Sequence, residues 1–199
     1  MKLRIGDLQS ILARLSRIGA VSHGRVLEQN TLFDTPQSDF WRNGRLLRVR
    51  IEKSAPGHGM AGGQAKAVLT AKAPASPSTN TSPNKRPRYK ERAEREVILP
   101  EASAFIRRLP DLGLRPTFRY EELRTRFRWR GLHLDLDETP VGTFLEVEGQ
   151  PQAIDRAAKA LGFSPHDYLR ATYWDLYAAD CRRRGVTPKN MLLRARKSR

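Results

Sequence analysis

Two carboxylates in the segment Thr143-Phe144-Leu145-Glu146-Val147-Glu148-Gly149 are spaced to act together. In an extended chain, side chains two apart share a face, so Glu146 and Glu148 point one way and Leu145 and Val147 the other. The same spacing appears with opposite charge in Leu47-Arg48-Val49-Arg50-Ile51, and again in Arg92-Ala93-Glu94-Arg95-Glu96, where Arg92, Glu94 and Glu96 share a face. Arg48, Arg50, Lys72, Arg124 and Arg126 are candidates to line a phosphate site, because guanidinium forks match phosphate oxygens and lysine adds a mobile point charge. Glu94, Glu96, Asp135, Asp137, Glu146 and Glu148 are candidates to hold Mg²⁺ or Mn²⁺, since hard cations take oxygen ligands and clustered carboxylates repel without one. Any single pair is equally consistent with an ordinary solvated sheet face. Taken together, the rows suit a polyanion bound through a divalent metal.

The elements that must position these residues are mostly strands. Residues 7–18 predict an amphipathic helix capped by Asp7, with Leu8, Ile11, Leu12, Leu15 and Ile18 on one face and Gly19 closing it. Strands follow at 24–34, 46–52, 67–72 and 92–99, with a turn-rich stretch at 35–44 and a short helix at 101–109. Residues 117–130 alternate, with Arg124, Arg126, Arg128 and Arg130 opposite Leu123, Thr125, Phe127 and Trp129. A turn at Arg130-Gly131 then leads into Leu132–Glu138, a hairpin pattern. Arg128 and Arg130, near that turn, read as ordinary surface groups. Helices are expected at 151–161 and 164–179, the second opening on Ser-Pro-His-Asp. Alternating strands with polar faces predict an α+β fold, a closed antiparallel β-barrel with flanking helices and a polar lumen.

With 199 residues the chain suits one domain. That domain is expected over 1–180, carrying flexible Pro-, Gly- and Ser-rich insertions at 54–64 and 73–90, with a basic tail over 181–199. The net charge is +16, and residues 182–199 hold eight Lys or Arg and no acid. The tail is expected to be solvated or peripheral, with nucleic acid a minor candidate partner. The single cysteine, Cys181, excludes an intrachain disulfide and reads as a bystander thiol. No apolar run approaches the roughly 20 residues of a membrane span, so a cytoplasmic protein is expected. His23, His58, His133 and His166 lack metal-ligand spacing, and no nucleophile motif or Walker loop is present.

The ordered set of motifs resembles the CYTH family of triphosphate tunnel metalloenzymes, which includes class IV adenylyl cyclases and thiamine or inorganic triphosphatases. It runs through Asn30-Thr31-Leu32-Phe33-Asp34-Thr35-Pro36, Leu47-Arg48-Val49-Arg50, Leu69-Thr70-Ala71-Lys72-Ala73-Pro74 and Arg92-Ala93-Glu94-Arg95-Glu96. It continues in Arg119-Tyr120-Glu121-Glu122-Leu123-Arg124, Leu136-Asp137-Glu138, Gly142 to Glu148, and Asp167-Tyr168 through Tyr173. The resemblance implies a tunnel of about eight strands. Arg48, Arg50, Lys72, Arg92 and Arg124 match phosphate-binding positions; Glu94, Glu96, Asp137, Glu146 and Glu148 match acidic ones, Glu146 and Glu148 foremost as metal ligands.

Three departures stand out. The family signature Glu-x-Glu-x-Lys meets Met1-Lys2-Leu3-Arg4-Ile5, so Lys2 matches the catalytic lysine and the glutamates have no counterpart. The first strand therefore reads as truncated, by a misplaced start or a real loss of ligands. Glu122 stands where many members carry lysine, and Leu32 lies near where thiamine triphosphatases place a tyrosine. The implied function is a metal-dependent enzyme acting on ATP, tripolyphosphate or a similar triphosphate, with hydrolysis favoured over a cyclase reaction. Alternatives are a non-catalytic polyphosphate-binding tunnel and a nucleic-acid-binding barrel. A homodimer is a possible assembly.

Overall fold

A computed structural model describes residues 1–55, 65–74 and 92–193. Apart from their ends, the insertions expected to be flexible lie outside the described residues, as does the tail beyond Leu193. Nine strands form one antiparallel sheet: β1 (Lys2–Ile5), β2 (Val21–Asp34), β3 (Leu46–Ser54), β4 (Lys66–Pro74), β5 (Arg92–Ile98), β6 (Arg115–Trp129), β7 (Leu132–Thr139), β8 (Gly142–Glu148) and β9 (Tyr168–Leu169). Their order is β5-β4-β3-β2-β6-β7-β8-β1-β9. Helices α1 (Leu8–Arg17), α2 (Asp39–Arg42), α3 (Ala102–Arg108), α4 (Pro151–Ala160) and α5 (Tyr173–Arg183) flank it.

The expected closed barrel is not formed by hydrogen bonds: β5 and β9 end the sheet without pairing to each other. Only two residues of β9 pair with β1, Leu169 with Lys2 and Tyr168 with Leu3, and the chain then turns into α5. The sheet is nevertheless strongly concave. Arg126 on β6 reaches Glu52 on β3 at 2.7 Å, and Arg48 on β3 reaches Tyr120 on β6 at 3.3 Å, both passing over the intervening β2.

Alternation decides which face is dry. On β1 and β8, Leu3, Leu145 and Val147 are fully buried on the convex side, where Ile11 and Leu15 of α1 and Ile154 and Ala157 of α4 cover them. Each such leucine or valine contributes about 1.5–3 kcal/mol of burial, and the same geometry turns Lys2 and Glu146 to the concave side. Asp7 caps α1 as expected, accepting the Ser10 N–H at 2.6 Å. Arg130 and Gly131 both take positive φ, 47° and 79°, giving the two-residue turn that joins β6 to β7.

Two further expectations are corrected. Residues 164–179 do not form one helix. Ser164 and Asp167 form a capping box on a single 3-10 turn, and Thr172 with Asp175 forms a second box that starts α5 afresh. Between them, Tyr168–Leu169 is drawn into extended pairing by the open edge of β1. The basic tail is not wholly solvated either. Past α5 the chain docks on β6, where Met191 exchanges backbone hydrogen bonds with Arg119 and Glu121 at 2.9 Å each. Met191 is buried there with Phe118, Tyr120, Tyr173, Tyr177 and Cys181. The reason is local: β7 pairs only with residues 123–129 of β6, leaving the earlier part of that strand open on one side.

Candidate active site

The concave face encloses a cavity of about 1300 Å³. Lys2 of β1, Arg48 and Arg50 of β3, Lys72 of β4, Arg92 of β5, and Arg124 and Arg126 of β6 all border it. Every basic residue singled out from the sequence thus faces one space, although they lie up to 124 positions apart. The acids are distributed differently. Glu94 and Glu96 border the cavity from β5, with Glu94 at 2.9 Å from Lys72 and Glu96 accepting from Thr70 at 3.0 Å. Asp135, Glu146 and Glu148 border it from β7 and β8. Asp137 lies behind the wall, fully buried. The five expected metal-binding acids are therefore not gathered at one point.

Arg124 organises the centre. Its Nε and Nη2 donate to the two Asp137 oxygens at 2.6 and 2.7 Å, and Nη2 also donates to Glu146 at 3.0 Å. Its Nη1 lies 3.2 Å from Asp135. The Tyr173 hydroxyl donates to Asp137 at 2.6 Å, so this carboxylate accepts three strong hydrogen bonds in a dry place. Lys2 is held by Glu146 at 3.3 Å, by the Ala171 carbonyl at 3.4 Å, and by the Tyr173 ring, whose centroid is 3.5 Å from Nζ. The tyrosine beside the lysine comes from α5, and Leu32 packs with the neighbouring aromatic cluster instead. Burial by itself raises the Glu146 carboxyl, but Lys2 and Arg124 outweigh it and hold it at about 2.

A second knot escaped the sequence reading. Glu28 on β2 is fully buried and binds Arg50 at 3.0 Å and Arg126 at 2.8 Å. It stands opposite Glu122 on β6, also fully buried. Burial favours the neutral form of Glu28, yet Arg124, Arg50 and Arg126 hold it at about 2. Burial drives Glu122 well above the ordinary carboxylate value, with the charge of Asp137 adding to the shift. Asn30, which accepts from Arg50 at 3.0 Å, completes the β2 contribution. Glu28 and Asn30 share a face with Val26 and Leu32, so the period of two that exposed the other strands could have found them.

Among the described residues no three Asp, Glu, His or Cys side chains converge to hold a metal by themselves. Asp135 and Glu146 do stand directly opposite in the β7–β8 register on the cavity wall, with Glu148 two residues further. That donor chemistry fits a hard cation of the Mg²⁺ kind, which is commonly bound through one or two carboxylates together with substrate phosphates.

These features, a concave antiparallel sheet with a cation-lined cavity, match a known family. The chain belongs to the CYTH domain family, whose model matches residues 1–173. Among solved structures it is similar to a candidate adenylate cyclase from Vibrio parahaemolyticus, with TM-score 0.67 and 16% identity over 88% of this chain and 94% of that one. It is also similar to a protein of Pyrococcus horikoshii OT3, with TM-score 0.69 and 19% identity over 90% and 97% of the two chains. A third likeness is to a candidate adenylyl cyclase from Hippeastrum, reported to have a dominant triphosphatase activity. Here the TM-score is 0.56 and the identity 19%, over 94% and 96% of the two chains. At these identities the likeness is one of fold. No curated protein sequence matches. No helix among the described residues is long and apolar enough to cross a membrane.

Proposed function

We propose that this protein is a divalent-metal-dependent enzyme that hydrolyses triphosphate-containing substrates. The observation that carries the reading is the convergence of Lys2, Arg48, Arg50, Lys72, Arg92, Arg124 and Arg126 on one cavity. A row of cations facing a shared space matches the charge of a linear phosphate chain, and catalysis of phosphoryl transfer rests on positioning and charge stabilisation.

The basic residues divide by their engagement. Arg124 is saturated by carboxylates, so its role is to hold Asp135 and Glu146 in place. Arg48 makes looser contacts, to Tyr120 and Thr70 at 3.3 Å each and to Glu96 at 4.0 Å, and its Nε has no hydrogen-bond partner. It is the guanidinium best placed to exchange its partners for phosphate oxygens. Arg50, Lys72, Arg92 and Arg126 extend the grip along the wall. Lys2, fixed over the Tyr173 ring, holds a positive charge beside Glu146. Asp135 and Glu146, with Glu148, would hold Mg²⁺ or Mn²⁺, which when bound neutralises phosphate oxygens and makes water a stronger nucleophile.

The test is phosphate release from tripolyphosphate and nucleoside triphosphates with Mg²⁺ or Mn²⁺, beside a cyclic AMP assay. Release that stops on chelation and returns with the metal is expected. Cyclic AMP with pyrophosphate as the main products would move the assignment to a cyclase.

A second reading, a tunnel that binds polyphosphate without turnover, is favoured by one observation: Asp135 and Glu146 are each already paired with a base. It predicts tripolyphosphate binding by calorimetry with no phosphate release.

A further inference from the structure

Beneath the charged cavity lies a layer of polar side chains that water does not reach. Glu28 of β2 and Glu122 of β6 stand directly opposite each other there, both fully buried. Asn30, two residues along the same face of β2, is buried as well, and its Nδ2 has no hydrogen-bond partner. The arginines bonded to Glu28 are placed differently. Arg50 and Arg126 border the cavity, and both belong to the phosphate grip described above. Each therefore stands between a carboxylate below and the space for a phosphate chain above.

Every element packed around the pair contributes a charged or titratable group. β3 presents Arg50, whose Nη1 donates to one Glu28 oxygen at 3.3 Å and whose Nε lies 3.0 Å from the other. It also presents Glu52, which shares the Arg126 Nη2 with Glu28 at 2.7 and 2.8 Å. β6 adds Tyr120, whose hydroxyl accepts from Arg48, and Arg124, 3.9 Å from Glu28 and 3.6 Å from Glu122. β7 adds Asp137, which takes the closest bonds of Arg124 together with the hydroxyl of Tyr173 from α5. Arg124 acts on Glu28 through its charge alone. The hydrogen bonds that keep Glu28 ionised come from Arg50 and Arg126.

A phosphate chain in the cavity disturbs this balance. A guanidinium that turns to a phosphate oxygen gives up its bond to Glu28, and the phosphate brings further negative charge to the same dry place. No water reaches Glu28 to replace the lost donors. A buried carboxylate deprived of its donors and set beside a polyanion favours its neutral form. Glu122, opposite, has no fixed positive charge to offer in exchange.

Resting on the triphosphate reading above, we infer that Glu28 is a positioning residue: it occupies Arg50 and Arg126 in the empty cavity and yields them to the phosphate chain, taking up a proton in the exchange. The carboxylate then competes with the ligand for the same two cations. Because binding consumes a proton, affinity for a triphosphate falls as pH rises.

The experiment titrates wild type, Glu28→Gln and Glu122→Lys with tripolyphosphate in a calorimeter. Divalent metal is chelated so that nothing is turned over. Runs at about pH 8 in two buffers of different ionisation enthalpy give the protons exchanged on binding. Protons moved by tripolyphosphate itself are common to all three proteins, so the difference between proteins is the readout. Glu28→Gln has nothing to protonate, and Glu122→Lys places a fixed positive charge opposite Glu28 and keeps it ionised. Wild type is expected to take up about one proton more than either variant, and its Kd to weaken more steeply with pH, by about tenfold per unit. A purely structural Glu28 would leave the proton count unmoved. Circular dichroism checks that the variants fold, and Glu122→Lys carries the comparison if Glu28→Gln does not. An equal count in wild type and a folded variant overturns the inference and leaves the triphosphate reading standing. A wild type that binds no tripolyphosphate here also overturns it; if that protein releases no phosphate from tripolyphosphate with Mg²⁺ either, the triphosphate reading falls with it.

Discussion

Glu28 and Glu122 face each other across the β2–β6 register, two carboxyl groups wholly withdrawn from water. Only the first has its own guanidiniums, Arg50 at 3.0 Å and Arg126 at 2.8 Å. Neither oxygen of the second meets a hydrogen-bond donor, and its nearest cation, Arg124, lies 3.6 Å away while binding Asp137 more closely. Like charges this close and this dry do not both ionise, so Glu122 carries the proton and Glu28 the charge.

This division predicts opposite results from the same substitution. Glu122→Gln replaces a neutral acid by a neutral amide and should leave stability unchanged or raise it at pH 7. Glu28→Gln strips Arg50 and Arg126 of a buried counter-charge and should cost about 3–5 kcal/mol. Urea denaturation of the two variants checks both. A larger loss in Glu122→Gln than in Glu28→Gln would show that the protonation is assigned the wrong way round, and equal losses would show that the two groups are not divided at all.

A pH dependence follows from the same pair. Because the Glu122 carboxyl is raised above its ordinary 4.5, the folded chain keeps a proton that the unfolded chain releases. As pH climbs above 4.5, this group therefore erodes stability. Glu28 and Glu146, lowered to about 2, act in the other direction. Their contribution is complete above 4.5 and is lost as pH falls towards 2. Thermal melts from acid to alkaline pH should show Glu122→Gln gaining on wild type as pH rises. Parallel curves would refute the assignment.

Arg124 binds the carboxylates of Asp135 and Asp137 on β7 and of Glu146 on β8, and its removal should be felt in the fold as much as in the site. Arg124→Ala leaves Asp137 buried with the Tyr173 hydroxyl as its remaining close donor, a change worth about 3–5 kcal/mol. Arg124→Lys keeps the charge but not the two-pronged geometry, and should fall between. Guanidinium unfolding midpoints with unchanged slopes provide the measurement.

Arg48 should separate binding from folding. Its contacts are long, so Arg48→Ala should keep the fold while lowering kcat/KM for a triphosphate about hundredfold, the scale for losing one preorganised charge-stabilising donor. Steady-state phosphate release with a circular-dichroism control tests this. Undiminished turnover would take Arg48 out of the phosphate grip.

Met191 tests the docked tail. Met191→Ala should cost about 2–5 kcal/mol, the range for emptying a well-packed methionine site. A change near zero, read by urea denaturation, would show that the segment past α5 does not contribute to the core.

Much of this protein was legible in its sequence. The alternation in Leu47 to Ile51, in Leu145 to Glu148 and in Leu123 to Trp129 placed arginines and carboxylates on one side of each strand because a strand's geometry is local and strictly two-fold. Asp7 announced α1 for the same reason, since a cap needs only its own next residues. The motif order pointed to the family, and the family model agrees. Sequence did not reveal where the second capping box would interrupt the helix expected over 164–179, because the pull of the β1 edge on Tyr168 and Leu169 comes from residues far away in the chain.

The tertiary structure decided the pairings. Which acid faces which base depends on strand order and register, so Asp137 is withdrawn behind Arg124 while Asp135 and Glu146 stay at the cavity wall. The same register brought Glu28 against Glu122 and forced one of them to keep its proton. Local spacing can say that charges share a face; only the curvature of the whole sheet, which carries Arg48 over β2 to Tyr120, determines that those faces enclose a common space.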